Sequence, residues 1–118
     1  MSNWQLSGRD YDGKLEATIA EVVDGLWELR GRTYHGRLEV TISKVSDSEL
    51  KLDGRDYHGK IKATISKLFD GLWTLKGRDY HGRLEATISK VSDSEWKLEG
   101  RNYHGKVEAT IWRSDWLT

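Results

Sequence analysis

Apolar and polar residues alternate along most of this chain, and the alternation restarts every 23 residues. Trp27, Leu29 and Gly31 alternate with Glu28, Arg30 and Arg32; beyond Tyr34-His35-Gly36-Arg37, Leu38, Val40 and Ile42 alternate with Glu39 and Thr41. A period of two, bounded by glycine- and aspartate-bearing breaks, predicts half-buried β-strands joined by tight turns. Five copies follow one another at residues 4–26, 27–49, 50–72, 73–95 and 96–118, so the chain reads as a single β-hairpin-repeat domain over 1–118. The second and fourth copies agree at 19 of 23 positions, which makes the hairpin, not any single residue, the unit to explain.

Within each unit, Tyr57-His58-Gly59-Lys60 and its equivalents read as a two-residue loop with His and Gly at its centre. Such a type I′ loop needs positive φ at both central positions, which favours Asn-Gly or Asp-Gly. The first copy carries Asp12-Gly13 there, and histidine is among the few non-glycine types enriched at positive φ. This loop predicts that Tyr34 faces Arg37, Arg32 faces Glu39, Gly31 faces Val40 and Leu29 faces Ile42. Trp, Leu, Gly, Ala and Ile then share the inner face, and Arg, Tyr, Glu and Thr the outer one. Arg9–Glu16, Arg32–Glu39, Arg78–Glu85 and Arg101–Glu108 become cross-strand ion pairs, broken in the third copy by Arg55 opposite Lys62. Ile42 and Val45 are three apart, and a bulge at Ser43-Lys44 is expected to return Val45 to the core. The far turns alternate between Asp24-Gly25 or Asp70-Gly71 and Ser46-Asp47-Ser48-Glu49 or Ser92-Asp93-Ser94-Glu95.

Ten antiparallel strands with one apolar face need that face covered, and no stretch has helical periodicity to cover it. The pattern therefore predicts an all-β fold, a closed up-and-down antiparallel β-barrel of about ten strands from five tandem hairpins; an open single-layer antiparallel sheet is the alternative. Gly8, Gly31, Gly54, Gly77 and Gly100 opposite Ala17, Val40, Ala63, Ala86 and Ala109 form a belt of small residues, read as a device for coiling the strands or as an internal cavity. The last copy departs from the pattern at Trp112 and Trp116, and a terminal repeat that meets a different neighbour is expected to change. Trp112 is expected to point outward, capping the seam with the first strand or forming a contact patch. Trp112, Trp116, Phe69 and Leu72 are the candidate interface; Val23 with Leu26 and Phe69 with Leu72 either plug the far end or form an exposed strip. A monomer or weak self-association is expected.

The 23-residue period, the Tyr-x-Gly and His-Gly pieces and the Asp-Gly turns in Trp-rich hairpins resemble MORN repeats over the whole chain. That resemblance implies lipid or partner binding, although Ile61 follows Tyr57-His58-Gly59-Lys60 where the family carries tryptophan. The near-identity of the copies is also similar to that of designed or consensus-built repeat proteins.

Composition narrows the chemistry. Nineteen Lys and Arg balance nineteen Asp and Glu, so the basic excess that neutralises phosphates is missing and no nucleic-acid partner is expected. No apolar run reaches the roughly 20 residues of a membrane helix, and no membrane association is expected. Met1-Ser2-Asn3 enters the first copy directly, which leaves no room for a signal peptide and makes a cytoplasmic location the default expectation. There is no cysteine and no proline. No nucleophile triad, phosphate loop or metal motif stands outside the repeat, so neither enzymatic activity nor a cofactor is expected.

Three recurring features remain as candidate chemistry. His35, His58, His81 and His104 recur every 23 residues, but equivalent turns about 10 Å apart do not converge on one ion, so no metal site is expected. Asp10, Thr33, Asp56, Asp79 and Asn102 read as a solvated ring at one mouth. The rim formed by Arg32, Arg55, Arg78 and Arg101, by Tyr34, Tyr57, Tyr80 and Tyr103, by the four histidines and by Asp56 and Asp79 is the candidate ligand surface. Tyr rings among charged groups stack on sugar faces, and repetition adds avidity. The favoured reading is a non-catalytic structural or binding module, a repeat β-barrel scaffold of engineered type. The alternatives are a multivalent, lectin-like carbohydrate-binding protein and a carrier of small hydrophobic ligands that uses the Gly/Ala belt as a cavity.

Overall fold

A computed structural model describes residues 3–114; Trp116 lies outside the described residues. Ten strands follow one another: β1 (Asn3–Asp10), β2 (Gly13–Val23), β3 (Leu26–Thr33), β4 (Gly36–Ser46), β5 (Glu49–Arg55), β6 (Lys60–Phe69), β7 (Leu72–Asp79), β8 (Gly82–Ser92), β9 (Glu95–Asn102) and β10 (Gly105–Arg113). Each pairs antiparallel with its sequence neighbours, and β1 pairs with β10 from Trp4↔Arg113 to Arg9↔Glu108. The barrel is closed, which removes both edges and excludes the open sheet. The altered last copy sits at this closure: Arg113 lies over the Trp4 ring at 5.6 Å, and the Ser114 amide donates to the Asn3 carbonyl at 3.0 Å. Trp112 points outward, as expected, opposite Gln5 on the seam, and is 37% exposed.

Inside, each hairpin stacks pairs of residues along the barrel axis. Thr33↔Gly36 lies at one end, then Gly31↔Leu38, Leu29↔Val40 and Trp27↔Ile42 at the other. This register is shifted by two residues from the one the sequence predicts. The loop centres on Tyr34-His35, no non-glycine residue among those described has positive φ, and Gly36 alone carries it there (149°). The cause is a side-chain cap. Asp56 Oδ1 accepts from the amides of His58 (2.9 Å) and Gly59 (3.1 Å), and Asp10, Asp79 and Asn102 do the same. Thr33 Oγ1 accepts from His35 N (3.1 Å). This local bonding favours a turn with ordinary φ at Tyr and His over the type I′ loop.

A shift of two preserves every face but changes every partner. Arg32 sits opposite Arg37 within its hairpin, and Arg faces Glu instead between hairpins, at Glu16↔Arg32, Glu39↔Arg55, Glu85↔Arg101 and Arg9↔Glu108. Lys62 opposite Arg78 is the exception. The ion pairs of Glu16, Glu39, Glu85 and Glu108 are made along their own strands, to Lys14, Arg37, Arg83 and Lys106. The Gly/Ala belt is likewise built between hairpins: Gly31 faces Ala17, and Gly8 faces Ala109 across the seam. A Cβ on Gly31 would lie 1.9 Å from the Glu16 carbonyl oxygen and 2.5 Å from Ala17 Cα. The neighbouring backbone occupies the place an added Cβ would take, which fits the reading of the belt as a strand-coiling device.

The bulge expected at Ser43-Lys44 falls one residue further on and does the opposite. Register shifts between Lys44 and Ser46, and Val45 stands out at 56% exposure. Val22, Leu68 and Val91 occupy the same bulge position in the other copies and are also exposed. The bulge is tied to its neighbour by the amide of Lys44, which donates to the Gly25 carbonyl at 2.8 Å, with Lys67, Lys90 and Arg113 repeating that bond. Bending the strand toward the adjacent turn turns the bulged side chain away from the core. The core clusters Leu6, Ala17, Leu29, Val40 and Ala109 on one side and Ala63, Ile65 and Leu75 on the other, with Ile61 and Val107 also buried.

Candidate functional site

The barrel has two unlike mouths. At the first, the Tyr-His turns lean inward. His35, His58, His81 and His104 form an arc of edge-on rings with centroids 4.8, 4.5 and 4.5 Å apart. Asp12, at the histidine position of the first copy, continues the arc with Oδ2 3.0 Å from His35 Nε2. The separation of about 10 Å expected for these histidines holds for backbones two strands apart, but inward-leaning side chains bridge it. Among the described residues no group of three or more His, Asp or Glu is placed so as to hold an ion.

The candidate rim divides into parts with separate duties. Each tyrosine lies over the loop glycine of the preceding hairpin: a Cβ on Gly13 would sit 3.2 Å from Tyr34 Cδ1, and Tyr57, Tyr80 and Tyr103 cover Gly36, Gly59 and Gly82 alike. Tyr11 covers Gly105 and so completes the ring across the seam. Tyr34, Tyr57, Tyr80 and Tyr103 also meet their own histidines edge-on at 5.3 to 5.5 Å. Arg32, Arg55, Arg78 and Arg101 stand outward on the wall, while Asp56 and Asp79 are engaged in the turn caps. The structure brings the histidines together and leaves the rest of the rim without a common focus.

The second mouth holds the feature that the sequence reading missed. Five cross-strand pairs, Trp4↔Ile19, Trp27↔Ile42, Leu50↔Ile65, Trp73↔Ile88 and Trp96↔Ile111, form a ring at the same level. Together these ten side chains line an open cavity of about 340 Å³ with no polar residue in its wall. Leu50 stands where the other copies have tryptophan and leaves a gap in the indole ring. The expected register hid the site by placing Ile42 opposite Leu29 instead of Trp27. The recurrence of Ile at position 16 of every copy and of Trp at position 1 of every copy but one was the available signal. Among the described residues nothing plugs this mouth: Phe69 is 64% exposed and pairs with half-buried Leu72 beside the turn, as Val23 does with Leu26.

No protein-family model matches the chain, and no curated protein matches it, so the MORN resemblance stays one of sequence pattern. Among solved structures the chain is similar to a de novo designed fluorescence-activating β-barrel. The two are 14% identical, the match covers 94% of this chain and 89% of that one, and the TM-score is 0.50. At that identity the likeness concerns the fold: a closed antiparallel barrel of the kind that has been built by design.

Proposed function

We propose that the chain is a non-catalytic β-barrel scaffold of engineered type that binds a small apolar molecule in its Trp/Ile mouth. The observation that carries this reading is the preformed, open cavity of about 340 Å³ walled only by indole, Leu and Ile side chains. Its volume falls at the low end of the roughly 300–1,000 Å³ typical of small-molecule sites. The designed barrel of similar fold is described as fluorescence-activating, and near-identical hairpin copies accord with a designed origin. The carrier reading therefore moves from the Gly/Ala belt to the ring beside it. The comparison with the designed barrel lends no support to carbohydrate recognition at the other mouth, where the tyrosines lie over glycines and stay largely exposed.

Nile red titration tests the proposal. Saturable one-to-one binding with a micromolar Kd of about 1–50 μM is expected, with energy transfer from the indoles. Leu50→Trp restores the residue of the other four copies and closes the gap, so it is expected to weaken the dye about tenfold while the barrel stays folded. Absence of saturable binding, or affinity indifferent to Leu50→Trp, would refute the cavity as a site.

A further inference from the structure

We propose, building on the small-ligand reading above, that the Trp/Ile mouth selects free organic cations: an apolar body bearing a quaternary ammonium group. Four half-buried tryptophans, Trp4, Trp27, Trp73 and Trp96, share one cavity. The negative face of an indole attracts a cation, most strongly where water is reduced. One such contact already exists at this mouth, between the Arg113 guanidinium and the Trp4 ring at 5.6 Å.

The rim has the matching charge. The bulge-to-turn segments 21–26, 44–49, 67–72 and 90–95 carry seven carboxylates against three lysines, and Arg113 adds one more cation. Those lysines, Lys44, Lys67 and Lys90, are drawn onto Asp47, Asp70 and Asp93 at 3.2, 3.0 and 3.2 Å. An approaching anion meets an acidic rim, and a cation is concentrated there. The walls also decide which cation. They offer no hydrogen-bond acceptor, so a primary ammonium would leave its N–H donors unpaired on entry, whereas a quaternary ammonium has none to satisfy.

Three naphthalene ligands that differ only in a terminal trimethylammonium, hydroxymethyl or sulfonate group, titrated by tryptophan fluorescence, test the assignment. The ammonium ligand is expected to bind about tenfold tighter than the sulfonate at low salt, with the alcohol between them and the gap narrowing as salt rises. Trp73→Leu copies the residue that the third repeat carries at this position. It is expected to weaken the ammonium ligand about fivefold and the alcohol less than about twofold, because only the cation loses an indole face. Equal affinities for ammonium and sulfonate, or equal losses on Trp73→Leu, would overturn the cation selection and leave the cavity reading standing. Failure of all three ligands to bind would overturn both. Sedimentation with phosphatidylcholine vesicles separates a free cation from a lipid headgroup: the protein is expected to stay in the supernatant, and co-sedimentation would overturn the assignment to free cations.

Discussion

Gly8 sits on the seam, and replacing it with alanine tests whether the barrel closes. In the closed barrel a Cβ at this position would lie 1.9 Å from the Glu108 carbonyl oxygen, 2.4 Å from Ala109 Cα and 2.7 Å from Ala109 Cβ. Ordinary carbon–oxygen contact begins near about 3.3 Å, so the strands must part by more than about 1 Å. The two nearest obstructing atoms are backbone and the third is an alanine Cβ, so no rotamer change relieves them. Overpacking of this kind costs about 1–3 kcal/mol, and each seam hydrogen bond lost with it costs about 1 kcal/mol more. A total of roughly 3–5 kcal/mol is expected, which is a large share of the roughly 6–18 kcal/mol stability of a domain this size. In an open sheet the same glycine would face no second strand, and alanine would raise stability by about 0.5–1 kcal/mol by removing backbone freedom. The two architectures thus predict opposite signs. Urea unfolding followed by tryptophan fluorescence and far-ultraviolet circular dichroism reads the difference; in the closed barrel the midpoint falls with little change in slope, and Tm drops by about 10–20 °C. A Gly8→Ala variant as stable as the parent, or more so, would refute closure between β1 and β10.

Two further substitutions probe the local structure by the same unfolding measurement. Val45→Thr is expected to change stability by no more than about 0.5 kcal/mol because the bulge holds the side chain in solvent, and a loss above about 1.5 kcal/mol would place Val45 in the core after all. Tyr103→Ala removes the ring over Gly82 and its edge contact with His104, and a loss of about 1–2 kcal/mol is expected; no change would mean that the tyrosine collar does not support the turns.

The period-two pattern, by itself, determined the strands, their inner and outer faces and the sharing of one apolar interior by five hairpins. Those properties are local: each follows from alternation along a single strand and survives a register shift of two, as Trp27, Leu29 and Gly31 show by staying inward. Closure too was legible, because ten strands with one apolar face and no covering helix have few other ways to leave water. Register was not. The loop was misplaced by one residue because Asp56 and its equivalents cap the turn amides, a bond invisible in a hydrophobicity pattern. That slip set Arg opposite Glu within hairpins instead of between them and separated Trp27 from Ile42, so the apolar cavity of the second mouth went unseen. Only the tertiary structure decided what lies at each level of the interior. Where Gly31 and Gly8 let a neighbouring backbone press in, no room is left for a Cβ; where Trp and Ile ring the open end, space remains. The histidines were likewise judged by backbone spacing, whereas their contact depends on how far the turns curl over the mouth. Which atoms meet is set by strand coiling around a closed ring, and no single 23-residue copy contains that ring.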